Sequence, residues 1–134
     1  MGKSSLQRYS GSCHCGSVRF EIDGPLRDVS LCHCVECRRW HGHVCAMTSA
    51  PRERVRFVSD DGLRWTCSPQ SDAHAHRGFC GECGSSLFWD APDRETISIS
   101  AGALDPPTGL RTTVQIYTHQ ASDYYELDPS VERG

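Results

Sequence analysis

A mainly β, antiparallel domain is the fold class that the sequence predicts, on three observations. Apolar and polar residues alternate with period two in several short stretches, turn-forming pairs separate those stretches, and helical periodicity is scarce. The first stretch sets Val18, Phe20 and Ile22 on one face and Arg19 and Glu21 on the other. In the second, Val55 and Phe57 alternate with Arg54 and Arg56, and in a later one Ile97 and Ile99 lie between Thr96, Ser98 and Ser100. Between these, Leu87, Phe88 and Trp89 form a short apolar run suited to a more deeply buried strand. A last strand is expected over residues 112–118, where Val114 and Ile116 alternate with Gln115 and Tyr117. Gly24-Pro25, Asp60-Asp61-Gly62, Ala91-Pro92-Asp93 and Asp105-Pro106-Pro107 supply the turns.

The chain of 134 residues reads as a single domain over 1–134 with its core at about 11–127, a polar stretch near residues 68–76 and a frayed tail after Asp128. Its apolar fraction, 37%, falls below the roughly 45–50% of an ordinary globular chain, so the core is thin for the length. Nine cysteines offset that deficit, and the number is odd. The start, Met1 to Arg8, has no apolar targeting segment, and Leu6 stands where an acylation motif requires Ser or Thr. The thiols are therefore expected to be reduced and the protein cytoplasmic. With Val44 to Met47 as the longest apolar run, no membrane span is expected. A net charge of −3 makes nucleic acid an unlikely partner. Thirteen of the fourteen cations are arginine, which leaves an anionic small molecule open as a ligand.

Seven of the nine cysteines fall in three clusters: Cys13 and Cys15 (CxC), Cys32, Cys34 and Cys37 (CxCxxC), and Cys80 and Cys83 (CxxC). A tetrahedral zinc with bonds of about 2.3 Å to sulfur needs its sulfurs roughly 3.8 Å apart. A CxxC knuckle supplies that spacing when a small residue lets the chain turn, and Gly81 and Gly84 fit the need, as Gly16 does after the CxC pair. Each pair is two ligands short, and together they make one closed, four-sulfur structural site. Bringing Cys15 to Cys80 closes a loop of 64 intervening residues. That closure costs about 4 kcal/mol, against roughly 10–16 kcal/mol from a structural zinc.

Cys32, Cys34 and Cys37 then have three thiolates and an open position, the pattern of a zinc that does chemistry. A fourth ligand from Cys45, Cys67, His33, His41 or His43 would close that site and make it structural. Cys45 and Cys67 are most simply buried small hydrophobes. Arg38 and Arg39 follow the cluster, and Arg38 is a candidate to hold a substrate carboxylate, although an arginine pair is more often plain surface. His14 and His33 alternate with cysteines and are expected to point away from the metals; His74 and His76 are expected to be solvated in a polar loop. Trp40, Trp89 and Tyr125 are candidate pocket walls, with a core role the commoner outcome for such aromatics. Beyond the zinc itself, no catalytic side chain is assigned.

The segments GSCHCGSVRFEI, LCHCVECRRWHG and RGFCGECGSSLFW resemble, in order and spacing, the glutathione-dependent formaldehyde-activating enzyme family, which includes the centromere protein V-like proteins. The resemblance runs from about Gly11 to Leu127 and extends to ISISAGALDPP and QIYTHQASDYYELD. It implies a β-tent fold of small antiparallel sheets organised around a structural zinc held by Cys13, Cys15, Cys80 and Cys83. It also implies a second Zn2+ on Cys32, Cys34 and Cys37, hence two per chain. The implied reaction is that of a carbon-sulfur lyase joining glutathione to formaldehyde as S-hydroxymethylglutathione, so the expected partners are a small-molecule thiol and a small aldehyde. Gln115 and Tyr124 stand where many members of the family show His and Trp. The competing reading is a non-enzymatic zinc module of the centromere protein V-like kind, serving nucleic acid or protein partners.

Overall fold

Eleven strands and one short helix carry the chain in the computed structural model, which describes residues 7–68 and 74–134. The strands are β1 (Arg8–Ser12), β2 (Val18–Asp23), β3 (Val29–Cys32), β4 (Cys45–Pro51), β5 (Val55–Asp60), β6 (Leu63–Cys67), β7 (His76–Cys80), β8 (Ser86–Asp90), β9 (Thr96–Ser100), β10 (Thr112–Ile116) and β11 (Glu132–Arg133). Helix α1 (Val35–His41) lies between β3 and β4. The protein is thus mainly β. One sheet has the order β1-β2-β5; the other runs β11-β10-β3-β4-β9-β8-β7-β6.

Each expected strand is present, with β10 ending at Ile116 and a 3-10 turn over Thr118–Gln120 replacing its last residues. The antiparallel expectation holds for seven of the pairings and is corrected at β10, which runs parallel to both β3 and β11. Parallel neighbours need a long connection rather than a hairpin, and β10 follows β3 by some eighty residues of chain.

The period-two faces explain how the sheets meet. Val18, Phe20 and Ile22 of β2 are fully buried against Leu87, Phe88, Ile97 and Ile99 of the larger sheet. Phe20 meets Phe88 edge-on at 5.2 Å between ring centroids, a favoured aromatic geometry. Cys13 and Cys80 belong to the same buried cluster, so sulfur fills part of a core that is short of large aliphatic side chains.

Helix α1 is too short to show a periodic apolar face, and none of its residues is fully buried. It forms because the Cys34 sulfur caps its start, accepting the Cys37 N–H at 3.3 Å. It stops where Gly42 donates back to the Arg38 carbonyl at 2.8 Å.

The tail after Asp128 is not frayed. Strand β11 pairs with β10, and Gln115, 1% exposed, donates through Nε2 to the carbonyls of Asp128 at 2.9 Å and Val131 at 3.1 Å. Its Oε1 therefore faces His33 Nε2, at 3.1 Å, and must accept. That assigns the proton of His33 to Nε2 and leaves Nδ1 to accept from the Tyr125 hydroxyl at 2.7 Å. Gln115→Leu strips the buried His33 Nε2 and the carbonyls of Asp128 and Val131 of their partner, and we expect it to lower unfolding stability by roughly 1–3 kcal/mol in urea titration. An unchanged midpoint would mean that the network contributes nothing.

Two further expectations are corrected. Cys67 is exposed at the end of the edge strand β6, with its sulfur 3.4 Å from His76 Nε2. His76 belongs to β7 rather than to a loop, because it pairs with Cys67 on one side and Asp90 on the other. Residues 69–73 of the expected polar stretch lie outside the described residues.

Candidate metal centres

The turn from β1 to β2 carries Cys13 and Cys15, and the turn from β7 to β8 carries Cys80 and Cys83. Their four sulfurs lie within 4.8 Å of one another. Cys13 and Cys15 are 3.7 Å apart and Cys15 and Cys80 3.8 Å, the separation that a tetrahedral zinc imposes on thiolates. The surroundings suit anionic sulfur. The Val18 N–H donates to Cys13 at 3.3 Å and the Glu82 N–H to Cys80 at 3.4 Å. Ser17 lies 3.2 Å from Cys15, and Ser85 3.2 Å from Cys83. The Ser85 hydroxyl holds the Cys83 thiol down to about 5, and that of Ser17 lowers Cys15. Cys80, fully buried, is pushed up to about 11, first by desolvation. All nine cysteines are free thiols, so no disulfide competes for these sulfurs.

Gly84 takes φ +85° and Gly16 φ +84°, left-handed conformations that close the two knuckles and that other residues adopt at a cost. Gly81 is small for another reason, since a Cβ there would lie 2.9 Å from Arg64 Cγ. Gly62 was not anticipated as part of the site. A Cβ on it would sit 2.8 Å from the Cys80 sulfur and 3.0 Å from Ser17 Cβ. We therefore expect Gly62→Ala to displace Cys80, lower stability by about 1–3 kcal/mol and speed metal loss to a chelator. Wild-type retention of metal would show that the turn yields without cost.

The second cluster is local. Cys32 ends β3, Cys34 caps α1 and Cys37 lies one turn inside it, with the three sulfurs within 4.8 Å of one another. The Cys37 thiol is drawn well below the ordinary thiol range, first by its hydrogen bond with Cys32, then by that with Cys45, and by the Arg77 guanidinium. Cys32 and Cys45 are raised by the same contacts. Cys45 stands opposite Cys32 in the β3–β4 register and is buried, as expected. Its thiol meets Cys37, but it does not join the three mutually close sulfurs.

The other candidate fourth ligands are engaged elsewhere or outside the cluster. His33, 3% exposed, has both ring nitrogens committed to Tyr125 and Gln115. His43 Nδ1 lies 2.7 Å from the Tyr124 hydroxyl, and its ring packs on Tyr125 at 4.9 Å. Cys67 is on β6. His41 is not in the group; its Nε2 is buried without a hydrogen-bond partner, and desolvation holds its ring toward the neutral form. Arg38 lies on α1, half-buried, with its Nε buried and unpartnered, and its charge is felt by Tyr125. His14 and His74 are exposed. Trp40 donates to Ser86 Oγ at 2.9 Å, and Trp89 carries Arg94 at 5.1 Å from its ring. A cavity of about 560 Å³ opens beside α1, lined by Trp40, His41, Ser100, Ser85, His14 and Cys13 among others, which is ample for a small molecule.

The sequence reading passed over Arg77 and Glu36. Arg77 is 4% exposed, 3.2 Å from Glu36 Oε1 and 3.6 Å from the Cys37 sulfur. The available signal was a cation inside the strand sequence HRGFC, where a buried strand normally carries apolar residues.

No helix among the described residues is long and apolar enough to cross a membrane. A protein of Halomonas elongata named "Putative glutathione-dependent formaldehyde-activating enzyme" is 29% identical over 109 residues, which cover 71% of this chain and 64% of that protein. An uncharacterized lyase of Schizosaccharomyces pombe is 24% identical over 84 residues, 63% of this chain and 58% of that protein. The chain thus spans about three fifths of the length of these relatives. A crystal structure of a Rhodobacter sphaeroides protein superposes with a TM-score of 0.57 at 27% identity, over 72% of this chain and 88% of that one. The family profile described as glutathione-dependent formaldehyde-activating enzyme matches residues 8–120, and with its two sets of clustered thiols the chain belongs to that family.

Proposed function

We propose that this chain, acting as one domain, is a zinc-dependent carbon-sulfur lyase that forms and cleaves a thiol adduct of a small aldehyde. Glutathione and formaldehyde are the first candidate substrates. The observation that carries the reading is the second cluster: three sulfurs of Cys32, Cys34 and Cys37 face one another with no fourth ligand among the described residues joining them. A zinc bound there would supply a Lewis-acidic centre that favours the thiolate form of a substrate thiol or polarises an aldehyde oxygen.

In the reaction the thiol sulfur adds to the carbonyl carbon, the C–O π pair moves to oxygen, and the proton lost by sulfur ends on that oxygen. The chain's own contribution is electrostatic and steric. Arg38 is the candidate to bind a substrate carboxylate, a role supported by its Nε, which is buried without a hydrogen-bond partner. The aromatic and imidazole rings of Tyr124, Tyr125 and His43 pack against one another and stiffen the surroundings of β3 and α1. The cavity beside α1 has the volume for a small molecule; its walls include Trp40 and His41 of that helix and Cys13 of the four-cysteine cluster, and none of Cys32, Cys34, Cys37 or Arg38. The four-cysteine cluster is read as structural.

Cobalt(II)-substituted protein tests the proposal. Glutathione is expected to perturb the visible spectrum of one of two bound cobalts, and the protein to accelerate S-hydroxymethylglutathione exchange measured by NMR. Cys45→Ala is expected to keep both metals. Two cobalts blind to every small thiol, or one metal lost on removing Cys45, would refute an open site.

A further inference from the structure

The geometry points to Arg77 as a positioning residue for the second cluster: it holds the Cys37 sulfur in the ligand array and supplies the positive charge that the array lacks. The inference rests on the reading of Cys32, Cys34 and Cys37 as metal ligands. Arginine is almost never buried without a partner, yet Arg77 sits 4% exposed on β7, the strand next to the β6 edge of the larger sheet. Its Nη2 alone reaches two groups, Glu36 Oε1 at 3.2 Å and Cys37 Sγ at 3.6 Å. Both belong to α1, whereas Arg77 comes from β7, forty residues on. The guanidinium also lies 6.0 Å from the Trp40 ring centroid, at the limit of a cation-π contact. Strand β7 thereby ties down a short helix that has no buried residue of its own.

Charge makes the contact consequential. Three thiolates on a divalent cation leave one net negative charge, and Glu36 brings a second into the same partly buried space. Arg77 is the only cation paired with Glu36 among the described ion pairs, and the same nitrogen that meets Glu36 also donates to the Cys37 sulfur. A donor of this kind fixes the orientation of a metal-bound thiolate and restrains its attack on electrophiles, which matters beside an aldehyde substrate. The same strand ends at Cys80, so one five-residue element serves both clusters.

The test is cobalt(II) binding by the full chain, followed by chelator competition and by the sulfur-to-cobalt charge-transfer band. For Arg77→Met, the second site is expected to bind cobalt about 10- to 100-fold more weakly and to shift its band, while the four-cysteine site keeps its metal and so reports an intact fold. Arg77→Lys, which can present one nitrogen to both partners, is expected to recover most of that loss. Glu36→Gln is expected to retain affinity, and the double variant Arg77→Met, Glu36→Gln to remain weak, because the bond to Cys37 is still missing. Recovery in the double variant would overturn the inference by showing that Arg77 only offsets Glu36. Two cobalts bound normally by Arg77→Met would overturn it while leaving the metal reading intact. A single cobalt in the wild-type chain would remove the metal reading itself.

Discussion

Cys80→Ser is expected to yield no folded protein, and a chelator strong enough to strip the four-cysteine site should unfold the wild type. A structural zinc contributes roughly 10–16 kcal/mol, whereas a domain of this size is stable by about 5–15 kcal/mol in total. Losing the site therefore removes an amount comparable with the whole margin. The placement of the ligands makes the loss global. Cys13 and Cys15 hang from the three-stranded sheet and Cys80 and Cys83 from the eight-stranded one, so the metal would join the two layers whose contact forms the core. Closing that loop costs about 4 kcal/mol that the thin apolar interface would otherwise have to supply. Far-ultraviolet and near-ultraviolet circular dichroism during chelation will decide the matter. Retention of both signals at one metal fewer would disprove a structural role.

The opposite outcome is expected at the second cluster. On the proposed function, Cys37→Ala should bind one zinc instead of two, retain its fold, and lose the proposed lyase activity by at least about a hundredfold, since a Lewis-acid centre is worth several kcal/mol at the transition state. The difference lies in chain separation. Cys32, Cys34 and Cys37 fall within six residues, so a metal there bridges no distant elements, and β3 remains paired with β4 and β10 without it. Metal counting, thermal melting and turnover on one preparation separate the cases. A variant that unfolds, or one that keeps full activity with a single metal, would contradict the division between a bracing site and a reactive one.

Much of this was legible in the residues. Strands β2 and β9 alternate because each covers one buried and one wet face, and the alternation survives in a single sequence; β5 has no buried residue, with Phe57 left exposed, and in β10 the expected faces are inverted, since Gln115 is the buried residue between half-buried Val114 and Ile116. Strand β4 does not alternate cleanly: CAMTSAP lies in the interior of the large sheet, with Cys45, Met47, Thr48 and Ala50 all buried. Strand β7 hides its position behind an arginine, and α1 hides behind a sulfur cap that no helix propensity describes. The buried role of His33 was equally hidden, since its partners Gln115 and Tyr125 lie 82 and 92 residues away.

The sequence alone determined which sulfurs travel together, because CxC, CxxC and CxCxxC spacings act through two or three residues of backbone turn and need no knowledge of the rest of the chain. It also set the fold class, since alternation and turn residues are local properties. Tertiary structure decided which nearby groups remain available to the second cluster. His33 and His43 are taken up by tyrosines from the far end of the chain, Cys45 is turned onto Cys37, and Arg77 arrives from another strand. Those outcomes depend on contacts between residues tens of positions apart, and such contacts exist only once the sheets have packed.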